Sequence, residues 1–331
     1  MSAVDVIVPC YRYGHFLREC VESVLMQSGP RVRVLIIDDA SPDNTADVAA
    51  ELAQRDPRVT FLRHATNRGH IATYNEGIDW ASAEYLLLLS ADDYLLPGGL
   101  NRATVLMEQY PEVGFVFGNA VELDEHGGRR FTNAVPCHND DRILTSQEFF
   151  GLSGARNIVP TPTAVVRTEL QKRAGGYRAE LPHSGDMEMW LRLAAHASLA
   201  FVKAPQAVYR RHSQNMSLSY MARNWLPDLE QRRAAFDCFF QACEHVLADP
   251  AGLRKRMLYL LARDAISQAS NAFNDGELEL CGNLAEFALR MSSKIARSLP
   301  WAKLACKRAV GLAMWRRLQL QAELIRRAPI L

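Results

Sequence analysis

The chain has 331 residues, 48% hydrophobic and 23% charged, a balance that excludes a mainly disordered, collagen-like or small disulfide-stapled protein. Lys and Arg number 38 against 37 Asp and Glu, a net charge of +1, so no global field argues for nucleic acid. Seven cysteines, odd in number and without a CxxC pair, fit reduced thiols in a cytoplasmic compartment better than a zinc cluster or a disulfide framework.

The chain enters a strand at once, at Val4 to Val8, with no basic leader, so no signal peptide is expected. Leu17, Cys20, Val21, Val24 and Leu25 then repeat at helical spacing. Val34 to Ile37 is a second buried strand ending at Asp38-Asp39, and Ser41-Pro42-Asp43-Asn44 opens the next helix with capping chemistry. Val59 to Leu62 is a third strand, and Asn67-Arg68-Gly69 turns into a helix through Trp80. Tyr85 to Leu89 is a fourth, stopped by Ser90-Ala91-Asp92-Asp93. Apolar runs such as Leu86 to Leu89 fall far short of the ~20 residues of a spanning helix. This alternation predicts a mainly parallel sheet with helices on both faces and a ligand outside the carboxyl ends of the strands.

Val113 to Phe117 reads as a further strand, and residues 119 to 165 read as loop-rich. Asp186 to His196 reads as a helix, and Leu199 to Val202 and Ala207 to Tyr209 read as two strands. Beyond Tyr220 the pattern is helical, broken by Pro227, Pro250 and Pro300. The first 219 residues carry a net charge of −5 and the remainder +6. A catalytic region over 1–219, with halves at about 1–118 and 119–219, is therefore expected to precede a basic helical region over 220–331.

Folding does not require Asp92 and Asp93 behind four buried leucines, and such carboxylates suit a divalent metal with a diphosphate. Turn and cap chemistry would use the same residues. Asp38-Asp39 ends the neighbouring strand in the same way and can accept bonds from a base or ribose. Arg68 suits a phosphate or a base edge. Asp186, at a helix start, has the dipole support of a general base. Glu188 and Arg192 are spaced for an ordinary surface pair. His212 follows a strand and suits Mn²⁺. Phe149, Phe150 and Trp190 are candidates to stack on a sugar ring, or core.

The order Pro9-Cys10-Tyr11, Ile37-Asp38-Asp39-Ala40-Ser41-Pro42-Asp43, Asn67-Arg68-Gly69, Ser90-Ala91-Asp92-Asp93, Gly185-Asp186 with Trp190 and Arg192, and Arg211-His212 resembles family 2 glycosyltransferases, inverting enzymes of the GT-A fold. The resemblance covers about residues 3 to 219. It implies that Pro9 and Tyr11 contact the nucleotide, Asp39 binds base or ribose, and Arg68 lies near base and diphosphate. It further implies Asp92 toward the ribose, Asp93 on Mn²⁺ or Mg²⁺, and His212 completing the metal site or touching the diphosphate. Asp186 matches the catalytic base, although Gly185 stands where the family pairs it with an acid. The implied donor is a nucleotide-sugar, UDP first. The implied acceptor is a glycan or lipid-linked hydroxyl in bacterial surface polysaccharide or glycolipid synthesis. A sugar nucleotidyltransferase and a non-catalytic binding subunit are the rival readings; Pro9 to Gly14 matches the phosphate loop of the former poorly.

In the tail, Trp301, Leu304, Leu312, Trp315, Leu318 and Ile325 are expected to share an apolar face. Basic residues including Lys303, Lys307, Arg316 and Arg326 complement it. Such a helix lies on an anionic membrane, here the inner face of the plasma membrane, or packs as a bundle or homo-oligomer contact.

Overall fold

The computed structural model describes residues 2–132, 134–135, 140–215 and 225–318. Its chain forms two compact units, residues 1–215 with 241–247, and residues 216–240 with 248–331. The boundary expected between 219 and 220 lies outside the described residues, as do Cys137, Ile325, Arg326 and Arg327.

The first unit begins β1 (Ala3–Cys10), α1 (Gly14–Leu25), β2 (Arg31–Asp38), α2 (Thr45–Arg55), β3 (Val59–Arg63), α3 (His70–Trp80) and β4 (Tyr85–Leu88). These follow the expected order. Val4, Val6, Ile7 and Val8 are all buried, as a parallel strand covered on both faces requires. On α1, Leu17, Cys20, Val21 and Val24 form the buried stripe. The register runs from Ala3 opposite Arg31 to Cys10 opposite Asp38, so the ends of β1 and β2 lie side by side. At Gly77 a Cβ would stand 2.2 Å from Cγ2 of Ile7, so α3 needs glycine there to lie against β1.

The unit continues with β5 (Tyr94–Leu95), α4 (Gly99–Gln109), β6 (Val113–Asp124), β7 (Arg129–Phe131), β8 (Arg142–Leu144), α5 (Ser146–Ser153), β9 (Val165–Arg167), α6 (Thr168–Ala174), α7 (Gly185–Ala194) and β10 (Ser198–Arg211). The sheet order is β3-β2-β1-β4-β9-β6-β10-β5, with β7 on β6 and β8 on β10. β1–β4 pair in parallel, whereas β9 runs antiparallel to both β4 and β6.

Several expectations change here. The stretch 119–165 keeps long irregular segments but carries more regular structure than expected, because β6 continues to Asp124, a turn at Gly127-Gly128 returns β7 along it, and β8 and α5 follow. α5 starts on a capping box between Thr145 and Glu148. The two strands expected at 199–202 and 207–209 are one strand, β10, with a register shift between Val202 and Ala207 where Pro205 interrupts the ladder. Phe149, Phe150 and Trp190 are buried, Trp190 against Phe115 at 5.7 Å between ring centroids, so they serve as core. Glu188 and Arg192 are not a surface pair. Both are buried, Arg178 joins them at 3.0 Å, and Arg192 also donates to the Gly176 carbonyl at 2.8 Å.

The second unit is helical. Its elements are α8 (Leu226–Cys243, of which 241–243 belong to the first unit), α9 (Pro250–Asp275), α10 (Leu278–Met291) and α11 (Leu299–Val310), followed by helical residues at 312–318. The expected proline breaks are helix starts: Pro250 and Pro300 fall in first turns capped by Asp249 and Ser298. No described helix is long and apolar enough to cross a membrane.

Candidate active site

The carboxyl ends of β1, β2 and β4 bring Pro9, Asp39 and Asp92-Asp93 to one sheet edge. Pro9 is half-buried near the end of β1, and Tyr11 just beyond it is exposed under the Arg12 guanidinium. After β2 the chain turns sharply. Ala40 takes a left-handed φ of 58°, and Asp38 Oδ1 accepts from the Ser41 amide at 2.9 Å.

Asp39 is buried and heavily engaged. Its Oδ1 accepts from the Arg68 amide at 2.7 Å and meets His64 Nδ1 at 2.6 Å. Its Oδ2 accepts from the Gly69 amide at 2.9 Å, and Gly69 supplies the φ of 83° this turn needs. The other His64 nitrogen meets Glu76 Oε2 at 2.9 Å, and Arg68 Nη1 donates to the same oxygen at 2.5 Å. Asp39, His64, Glu76 and Arg68 therefore form one polar chain. Sequence reasoning missed His64 and Glu76. Their only local signal was a histidine immediately after a strand and an acid on α3.

Asp92 and Asp93 are 5% and 1% exposed. β5 follows them directly and pairs with β10, which brings Arg210 onto the pair. The Arg210 amide donates to Asp93 Oδ1 at 2.9 Å, and its guanidinium donates to the Asp92 carbonyl at 2.6 Å. Glu19 holds that guanidinium, which also lies over the rings of Phe16 and Tyr94. His212 comes to Asp92 rather than Asp93: its Nε2 lies 3.1 Å from Asp92 Oδ2, and the Asn215 amide reaches the same oxygen at 3.3 Å. Burial pushes the Asp92 carboxyl up against the opposing His212 bond. Burial and the Asp92 charge push Asp93 up further.

Asp186 lies in the first turn of α7, where the helix dipole favours an anion. It is half-buried, and Oδ2 accepts from the Thr161 hydroxyl at 2.9 Å. Burial raises its pKa, while bonds from Thr161 and Tyr177 and the nearby His70 and His183 oppose the rise. No Lys or Arg pairs with it among the described residues. Gly185 has only ordinary contacts around an added Cβ, the nearest 3.4 Å away on Tyr177, so packing does not dictate glycine there.

Two phenols link these groups. The Tyr209 hydroxyl is pushed up to about 12, chiefly by burial, then by Asp93, with Asp92 and Asp186 adding. Burial likewise raises Tyr74, with Asp186, Asp92 and Asp93 contributing.

The donor set at Asp92-Asp93 fits a divalent cation in part. Two desolvated carboxylates beside an imidazole are hard oxygen and borderline nitrogen ligands. Among the described residues no three His, Cys, Asp or Glu side chains close into a metal cage. Such a set suits an ion that takes its remaining ligands from substrate phosphate and water.

The model of "Glycosyl transferase family 2" matches residues 5–156. The chain is 32% identical over 267 residues to "Glycosyltransferase GlyG" of Streptococcus pneumoniae, covering 78% of this chain and 86% of that protein. Its fold is similar to S. aureus TarS 1–349 in complex with UDP-GlcNAc, with a TM-score of 0.67, 17% identity, and 97% and 92% of the two chains covered. It is also similar to the mannosyltransferase PcManGT of Pyrobaculum calidifontis in complex with GDP-Man and Mn²⁺, with a TM-score of 0.52, 18% identity, and 95% and 86% covered.

Proposed function

The chain belongs to the family 2 glycosyl transferases and has their GT-A fold, and from that premise we propose an inverting transfer of a sugar from a nucleotide-sugar to an acceptor hydroxyl. UDP is the first candidate nucleotide, and the acceptor is a glycan or lipid-linked hydroxyl. The single observation that carries the reading is Asp186. It is a carboxylate at a helix start whose pKa is raised by burial, and no Lys or Arg pairs with it among the described residues.

In this reading Asp186 accepts the proton of the acceptor hydroxyl as its oxygen bonds to the anomeric carbon. The bond from that carbon to the diphosphate breaks on the opposite face, and the electron pair leaves with the diphosphate. One displacement inverts the configuration, so no covalent enzyme nucleophile is required. Asp39, fixed by His64 and the 67–69 turn, is assigned to the base or ribose, with Pro9 and Tyr11 beside it. Asp92 is assigned to the ribose and Arg68 to the diphosphate. Asp93 and His212 would hold a divalent ion, Mn²⁺ or Mg²⁺, which when bound neutralises charge on the leaving diphosphate.

The test is Asp186→Asn. It is expected to retain nucleotide binding by calorimetry and to lose transfer by about 10²-fold or more. Turnover equal to the parent chain would remove Asp186 from the role of base.

A further inference from the structure

The second unit turns a different face outward from the one its sequence suggests. Leu304 and Lys307 of α11 are buried, and Trp315 packs over the Lys307 ammonium at 5.1 Å. That ammonium donates to the Ser270 hydroxyl at 2.6 Å and to Asn274 at 3.0 Å, both on α9. The apolar side holding Leu304 and Trp315 is thus spent inside the helical bundle, and Lys307 is part of the packing rather than of a basic surface.

What remains outside is a second amphipathic stripe. Leu299, Lys303, Cys306 and Val310 stand at i, i+4, i+7 and i+11 of α11, and all are exposed. Past the break at Gly311, Met314, Arg317 and Leu318 repeat the mixture at i, i+3 and i+4, again exposed. Between residues 287 and 318 there is no Asp or Glu. Lys294, Arg297, Lys303, Arg308 and Arg317 meet no carboxylate among the described residues. Elsewhere, arginines such as Arg18, Arg55, Arg58, Arg130 and Arg173 each meet a carboxylate within 3.1 Å.

We infer that this stripe docks the chain on an anionic lipid bilayer. Cations left without local carboxylates repel one another and favour an external anionic surface. The interleaved Leu299, Val310, Met314 and Leu318 fit the headgroup boundary, which accepts apolar side chains beside basic ones. A nucleic acid would use the cations and leave those side chains without a role. A symmetric second copy would bring the same positive stripe against itself.

The experiment is sedimentation of the full chain with vesicles of phosphatidylcholine alone, or with about 30% phosphatidylglycerol. The chain is expected to partition onto the anionic vesicles and to come off as NaCl rises from about 0.1 to about 0.5 M. Lys303→Glu with Arg317→Glu is expected to weaken partition about tenfold or more. Leu299→Ser with Met314→Ser is expected to weaken it without changing its salt dependence, circular dichroism showing both pairs folded. Three outcomes would overturn the inference: no partition onto anionic vesicles at low salt, equal partition of the charge-reversed pair, or self-association through this stripe without vesicle binding. Indifference to the Leu299 and Met314 changes, with equal binding to heparin, would reduce the stripe to a general anion patch and also overturn it.

Discussion

Asp186 keeps two opposing influences in balance, and one of them is a single hydroxyl. Burial favours the neutral acid, and the bond from Thr161 favours the anion. Removing the hydroxyl leaves burial less opposed, so the carboxyl pKa rises. A base must be ionised to accept a proton, so the acidic limb of kcat/KM should move to higher pH. We expect this in Thr161→Val, with kcat/KM at alkaline pH largely kept and Thr161→Ser close to the parent. His70, His183 and Tyr177 also face the carboxylate and are unchanged in these variants. An unmoved acidic limb would show that Thr161 does not tune the base. The carboxylates themselves were readable in the chain, because strand ends and helix starts mark positions where charge is chemically useful. Their partners were not. Thr161 is 25 residues from Asp186, and His64 is 25 residues from Asp39, so only the folded chain brings them together.

At the scale of elements, Asp5 shows what holds the edge in register. It sits fully buried in β1, an unexpected place for a charge. Arg33 of β2 pairs with it at 2.7 Å, and the Ser82 and Ala83 amides donate at 2.7 and 2.8 Å. One carboxylate thus ties β1, β2 and the turn before β4. Burial alone would raise its pKa, but the Arg33 and amide bonds outweigh that and lower it. A lowered folded pKa means that this contribution is full above the unfolded value near 3.9 and is lost as pH falls through the folded one. Asp5→Asn should therefore cost about 2 kcal/mol in urea unfolding at pH 7. The gap should narrow by about pH 3.5, and a gap independent of pH would contradict the linkage. The first four strands and three helices were legible because their apolar spacing is long and regular. β5, β9 and α6 were not. They are short, and pairing with β10, β4 and β6 rather than local pattern keeps the two strands in place.

For the whole chain, the site exists only when the first unit is folded. Asp39, Arg68, Asp92-Asp93, Asp186 and His212 come from five separate stretches of sequence, and no stretch holds a site alone. A ligand that needs them together binds the native state and not the unfolded one, so it must raise stability by mass action. At a free concentration about a hundredfold above its Kd, the gain is about 2.7 kcal/mol. In a chain of this size that corresponds to a rise in Tm of about 4 °C. We expect one of UDP, dTDP and GDP to give such a rise with Mn²⁺ present, and less without it. Metal dependence is expected because Asp92 and Asp93 are paired and buried, burial raises both pKa values, and a dication would favour their ionised forms. Asp93→Ala should abolish the difference made by Mn²⁺ while leaving a smaller nucleotide effect through Asp39. A rise that ignores Mn²⁺ in the parent chain would remove the metal from Asp93 but keep the nucleotide. No rise with any of the three nucleotides would count against the donor assignment itself, because the edge would then be folded without the ligand it is built to hold.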